Sequence, residues 1–290
     1  MHELIKGYME KGFAGKSDDT KKTYLSEIEQ FNKWLIPTGT DIENFSRLDV
    51  QQYINWLTAK KKAPTTINKK FRAISHFCKF NNIEENVANI RVISPDDLTN
   101  MAPKSLERNE RNQMLREVTR NGSKRDIAVI YTLLNTGVRV SECSNLQLSS
   151  LSDIGDKKGF LKVTGKGFKA RTVPINSECR FTLNEYLKER GIDMYNLKSL
   201  TEEELNQPLF LSNFNKPLSK ESIQRIVKKF GNTHPHTLRH TFATILMREK
   251  KADPTTVAQL LGHSNLNTVQ RYTKATEAEL QNIVEGLNFD

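Results

Sequence analysis

The sequence predicts a mainly α-helical protein with one small β-sheet, arranged as two domains. Three observations carry that expectation. Apolar residues recur at helical spacing through the first eighty-five residues and again through most of the chain after 104. The period falls to two over residues 159–175 only. Between 86 and 104 periodicity disappears and Pro95 and Pro103 stand close together, the mark of a linker. The expected boundaries are a helical first domain at 1–90, a linker at 91–103 and an α+β second domain at 104–290.

The elements follow in order. Leu4, Ile5, Tyr8 and Met9 form one stripe and predict a short opening helix over 4–13. In "DDTKKTYLSEIEQFNKWL" the stripe is Tyr24, Ile28, Phe31 and Leu35, with Asp18 or Asp19 placed to cap. In "LDVQQYINWLTAK" it is Val50, Tyr53, Ile54 and Leu57, with Asp49 expected to cap. After Pro64 a longer helix sets Ile67, Phe71, Ile74 and Cys78 on one face and Lys69, Arg72, His76 and Lys79 on the other. That second face is basic throughout, which fits either a solvated surface or contact with a DNA backbone.

Past the linker, Ile127, Ile130, Tyr131 and Leu134 predict a buried helix stopped by Gly137, and another helix begins almost at once. "GFLKVTGKGFKARTVPI" reads as a hairpin with Gly165 and Gly167 beside its tip. Helices are expected from Asn176 onward to the end. The final one, "TEAELQNIVEGLNF", places Leu280, Ile283, Val284 and Leu287 on a single face that packs at home or on another subunit.

Composition narrows the function classes. Lys and Arg outnumber Asp and Glu by 44 to 34, a net charge of +10 that favours a polyanionic partner. No apolar run approaches a bilayer span, so no membrane role is expected. Cysteines 78, 143 and 179 are odd in number, widely spaced and form no metal or redox motif, which fits a reduced, cytoplasmic setting.

Four of the six histidines fall in or near two short boxes, "HPHTLRH" (234–240) and "LGHSNLNTVQRY" (261–272). Three readings compete. In a zinc site, His236 and His240 would share a helix face, but Thr237 stands where a zinc protease needs its glutamate, and no acidic third ligand is suitably spaced. In a helix-turn-helix, "TTVAQLLGHSNLNTVQRYTK" would fold about Gly262 and put its second helix in a DNA groove. That leaves the upstream box and the lysine-tipped hairpin unused. In a phosphodiester site, arginines would hold non-bridging oxygens, a tyrosine would attack, and a lysine would protonate the leaving oxygen. Arg139, Arg239, Lys166 and Tyr272 supply those types.

Four segments together resemble the tyrosine site-specific recombinases, the family of the phage integrases and of the Xer and Cre proteins. "NTGVRVSE" (135–142) resembles the family's first arginine box and "TGKGFKARTVPI" (164–175) its catalytic hairpin. "HTLRHTFAT" (236–244) resembles its His-x-x-Arg box, and "LLGHSNLNTVQRYT" (260–273) its histidine-to-tyrosine segment. The resemblance covers essentially the whole chain, with residues 1–90 like the SAM-like core-binding domain and 104–290 like the catalytic domain.

The resemblance implies Tyr272 as the nucleophile and Arg139 and Arg239 as the phosphate clamp. Lys166 would be the proton donor to the leaving 5′-oxygen, His236 the acid–base partner and His263 a phosphate contact. Glu142 would orient this set. His234 and His240 fall outside it and are assigned to packing or backbone roles. Lys169 and Arg171 are expected to touch DNA, as are Lys69, Arg72, His76 and Lys79. No metal or other cofactor is implied, because the phosphotyrosine bond conserves the energy of the broken phosphodiester.

The implied partner is a double-stranded DNA recombination site. Four protomers would act on two such sites, with the last helix packed in trans and one protein or a paralogue or accessory protein completing the assembly. Lack of a further N-terminal domain favours a core-site enzyme that resolves or integrates DNA of a bacterial chromosome or mobile element. Two alternatives stand beside this: a type IB topoisomerase-like relaxing enzyme, and a DNA-binding regulator of the same fold that does not cut.

Overall fold

The computed structural model describes residues 3–16, 18–92, 104–155, 157–165 and 170–262. The chain divides into two compact units, 1–100 and 101–290.

Among the described residues the first unit holds four α-helices: α1 (Glu3–Lys11), α2 (Asp18–Leu35), α3 (Arg47–Ala59) and α4 (Pro64–Phe80). Their apolar stripes meet in one core built on Tyr8, Ile28, Phe31, Leu35, Tyr53, Ile54, Ile67, Ile74 and Phe77. Asp18 and Asp19 lie in the first turn of α2, where carboxylates favour the helix dipole. The start of α3 differs from the expectation. Ser46 is the capping residue, and Asp49, three positions inside, accepts the Ser46 backbone N–H at 2.8 Å. The aspartate closes a reciprocal capping box instead of standing at the boundary.

The second unit begins with α5 (Arg108–Asn121) and α6 (Lys124–Thr136), then the short α7 (Val140–Ser144). α6 is buried nearly all round, from Asp126 to Thr136, and is flanked by the later helices α8 and α11. That environment explains its run of apolar and small hydroxyl residues, with Thr136 satisfying its hydroxyl on the Thr132 carbonyl.

A three-stranded antiparallel sheet follows: β1 (Leu151–Ser152), β2 (Phe160–Thr164) and β3 (Ala170–Pro174). Leu161 pairs with Val173, and Val163 with Arg171. The period of two noted in the sequence therefore is a hairpin, and its tip at 166–169 lies outside the described residues.

α8 (Ser177–Glu189) starts at Asn176, whose side chain caps the Cys179 N–H. Helices from here to the chain end are the sequence expectation, and the structure interrupts them with a largely irregular stretch. Residues 190–219 contain a 3-10 stretch, the single-turn α9 (Glu202–Leu205), and bridges pairing Gln147 with Pro208 and Leu211 with Pro217. Gly191 and Asn215 take left-handed backbone and the prolines lack a donor, so helix cannot propagate through them.

Helix resumes in α10 (Lys220–Gly231), α11 (Pro235–Thr244) and α12 (Pro254–Leu261). α11 widens into a π turn at Ile245–Glu249, closed by the Lys250 N–H on the Ile245 carbonyl at 3.0 Å. Phe242, Ala243, Leu246, Val257, Ala258 and Leu261 pack α12 against this turn. No described helix is long and apolar enough to cross a membrane. All three cysteines are buried and unpaired.

Candidate active site

α6 ends because Gly137 takes φ +61 and its N–H returns to the Leu133 carbonyl. A Cβ at this position would lie 2.4 Å from Phe242 Cδ1 and 2.9 Å from Leu261 Cδ2, so the backbone here passes directly against α11 and α12. Two residues later Arg139 stands as the capping residue of α7. Glu142 Oε2 accepts the Arg139 backbone N–H at 2.8 Å, and Oε1 accepts Arg139 Nη1 at 2.9 Å. The guanidinium stays 39% exposed while the carboxylate that aims it is 3% exposed.

Arg171 on β3 completes the pair. It lays a fork onto the same carboxylate, Nη1 to Oε1 at 3.0 Å and Nη2 to Oε2 at 2.8 Å, and donates Nε to the Leu260 carbonyl at 2.9 Å. Its side chain is 12% exposed. The side chain expected to touch DNA is turned toward the protein here: strand alternation points Arg171 inward with Val173, and its Nε, Nη1 and Nη2 each bond a protein acceptor.

Arg239 on α11 is buried almost completely. It donates Nη1 to the Gly137 carbonyl and Nη2 to the Leu261 carbonyl at 2.7 Å. Both acceptors lie at helix C-termini, where carbonyls lack intrahelical partners and carry the negative end of the dipole. One helical turn earlier His236 sets its ring edge-on to His240, with centroids 4.3 Å apart. Thus residues a hundred positions apart converge: the arginine of the second box is fastened to the loop that presents the arginine of the first.

Charge in this cluster is lopsided: Arg139 and Arg171 share the carboxylate of Glu142, while Arg239 sits on the Gly137 and Leu261 carbonyls. Burial alone would raise the Glu142 pKa. Hydrogen bonds from Arg171 and the Arg139 backbone, with the Arg171 charge, overcome it and hold the carboxyl at about 2. His236 is shifted the other way from an imidazole's usual gain: burial, then the charges of Arg239 and Arg139, lower its pKa. With its pKa lowered, the His236 imidazole near the partly exposed Arg139 guanidinium is suited to taking a proton next to a bound phosphate.

Of the expected catalytic set, the structure brings together Arg139, Glu142, His236 and Arg239. Lys166, Lys169, His263 and Tyr272 lie outside the described residues, as does the apolar tail at Leu280–Leu287. α12 ends at Gly262 with φ +65, so the chain leaves Arg171 and Arg239 directly into His263. Among the described residues no group of three or more His, Cys, Asp or Glu side chains could hold a metal ion.

The basic face of α4 is only partly as expected. Arg72 and Lys79 are exposed, and Lys69 is too, though it pairs with Glu27 of α2 at 3.1 Å. His76 turns inward instead. Its Nδ1 meets Tyr8 Oη at 2.8 Å, its ring stacks on Phe13, and burial, then Lys16 and Lys79, lower its pKa. A neutral ring packed among aromatics offers no charge to a DNA backbone. Sequence reasoning also missed Lys70, which is buried against Glu27 and Gln30 in the heart of the unit.

Known proteins give this arrangement a family. The phage integrase family matches residues 104–279, and the phage integrase N-terminal SAM-like domain matches 5–85. The tyrosine recombinase XerC of Pediococcus pentosaceus is 32% identical over 281 residues, covering 91% of this chain and 90% of its own. The chain is a tyrosine recombinase of the phage integrase and Xer family.

The XerC of Staphylococcus haemolyticus is 31% identical and covers 92% of the chain. The crystal structure of XerA recombinase covers 99% at 25% identity and a TM-score of 0.51. XerH bound to its difH substrate shares the fold at a TM-score of 0.70 over 91%, with 21% identity. A lambda integrase dimer bound to a core site shares it at 0.69 over the whole chain, with 16% identity. As a site-specific tyrosine recombinase the enzyme cuts and rejoins DNA, and a DNA recombination site is what it binds.

Proposed function

We propose that this recombinase cleaves one strand at a time through a 3′-phosphotyrosine formed by Tyr272. The observation that carries the reading is the fastening of Arg239 to the Gly137 carbonyl, which sets the two arginine boxes at one point. In this reading Arg139 and Arg239 hold the non-bridging oxygens of the scissile phosphate. His236 takes the phenolic proton as the Tyr272 oxygen bonds to phosphorus. The bond to the 5′-oxygen breaks, and Lys166 gives that oxygen its proton. His263 donates to the phosphate. The tyrosyl ester keeps the bond energy, so attack by a 5′-hydroxyl from a second duplex rejoins the strand with no cofactor consumed.

The first pair of cuts, one in each duplex, and their exchange yield a Holliday junction, and the second pair of cuts resolves it. A tetramer on two sites, with the tail at Leu280–Leu287 packed on a neighbouring subunit, is the assembly such an exchange requires. Lys69, Arg72 and Lys79, with Lys169 at the hairpin tip, would meet the DNA backbone. Resolution or integration of chromosomal or mobile-element DNA is the outcome.

The test uses labelled duplex fragments from either side of the protein's own gene, nicked so that cleavage is trapped. A protein-linked band is expected on a denaturing gel in the presence of EDTA, and Tyr272→Phe should bind the same fragment without forming it. An adduct that survives in Tyr272→Phe moves the nucleophile elsewhere. Tight, specific binding with no adduct on any cleavable fragment favours the silent regulator.

A further inference from the structure

We propose that Arg171 is a positioning residue of the cleavage site, acting through Glu142 on Arg139 and through the Leu260 carbonyl on the end of α12. The inference rests on the phosphate-clamp reading of Arg139 and goes beyond it to the residue that holds the clamp in register.

Three structural facts converge on it. First, Arg171 and Arg139 share both oxygens of Glu142: Oε1 accepts Nη1 of each, at 3.0 and 2.9 Å, and Oε2 accepts Arg171 Nη2 and the Arg139 backbone, each at 2.8 Å. A carboxylate held this way has no rotational slack, so the Arg139 fork it orients inherits a fixed direction. Second, Arg171 Nε anchors on the Leu260 carbonyl, 2.9 Å away, while Arg239 takes the adjacent Leu261 carbonyl. Two guanidiniums from different elements therefore fasten the last turn of α12, immediately before the segment that carries His263 and Tyr272.

Third, the fit depends on Gly262. A Cβ there would stand 3.0 Å from both Cδ and Nη1 of Arg171. The chain bends over the guanidinium with no side chain between them. Arg171 thus ties the hairpin, the Arg139 turn and the last turn of α12 together. Lysine, a point charge with no planar fork, cannot make these three bonds together.

Arg171→Lys tests this. Single-turnover cleavage of the nicked fragment at saturating DNA should slow by about tenfold or more, since a small misplacement of reacting groups costs up to ~100-fold. DNA affinity should stay within about twofold, because the side chain contacts protein rather than backbone phosphate. Combined with Glu142→Gln, the loss should not exceed that of the worse single variant, as expected for two residues in one chain of contacts.

Hydrogen exchange on the free protein gives a second readout that needs no substrate: amides at 139–143 and 258–262 should exchange faster in Arg171→Lys than in wild type. Unchanged exchange overturns the proposal. So does lost affinity with an intact cleavage rate, which would make Arg171 a DNA contact. Additive losses with Glu142→Gln overturn it as well. The outcome is separable from that of Tyr272→Phe, which judges the nucleophile alone.

Discussion

His236 is an imidazole kept neutral by its neighbours, and this has a measurable sign. Its folded pKa lies below the ordinary imidazole value of about 6.5 because of burial and the Arg239 and Arg139 charges. Above that pH neither the folded nor the unfolded ring is protonated, and the shift costs nothing. As pH falls through about 6.5 the unfolded chain takes the proton first, so stability declines until the folded ring is protonated too. Thermal melts from pH 7.5 to 5.5 should therefore fall, and His236→Gln should flatten the fall, leaving the share that His76 contributes with the same sign. Equal slopes in both proteins would mean that the lowered pKa of His236 is not coupled to folding. Glu142 leaves this window undisturbed, since its own contribution is lost only between about 4.5 and 2.

Legibility at the scale of elements turns on parity and spacing. Arg171 shares strand parity with Val173 and Ile175, and Lys70 stands three after Ile67 and four before Ile74. Both positions read as inward-facing, yet a charged residue there signals burial only once its partner is known. Those partners, Glu142 and Glu27, lie 29 and 43 residues away, and no local pattern connects them. By contrast the Arg139 box, the hairpin and α11 are readable because glycines, prolines and a change of period mark their limits. Asp49, expected to cap, stands three positions inside the observed start, because an acid suits either the cap or the third helical position and Ser46 takes the cap here. The pair of Lys70 and Glu27 leads to a test. Removing one partner, in Lys70→Ala or Glu27→Ala, should cost about 3–5 kcal/mol in urea unfolding. Replacing both together, Lys70→Met with Glu27→Leu, should recover most of it. A double variant as unstable as the singles would show that the pair stabilises the α2–α4 packing beyond its own charge balance.

For the whole molecule the question is how a net charge of +10 is divided between chemistry and adhesion. The site takes three arginines; Arg239 is buried and Arg171 is turned onto protein acceptors, so neither is available as a general DNA-facing surface. Exposed lysines and arginines such as Lys69, Arg72 and Lys79 carry the rest. The triple alanine variant at those three positions should bind DNA with a salt slope lower by roughly 0.9 for each phosphate left unneutralised, and cleavage at saturating DNA should be unaffected. An unchanged slope would make this face of α4 a solvated surface.

The double anchorage of Arg239 also bears on when the enzyme becomes dangerous to DNA. Its guanidinium is seated by one carbonyl at residue 137 and another at residue 261. A ribosome that has synthesised α11 has made the arginine but not its second seat. A fragment released by a premature stop anywhere before Leu260 lacks both the carbonyl that Arg171 bonds and the one that Arg239 bonds on α12. Such a product can carry both arginine boxes and the hairpin lysine without the α12 carbonyls that seat Arg171 and Arg239. The second seat of Arg239 is thus among the last parts of the molecule to be synthesised, although the arginine itself is made 22 residues earlier.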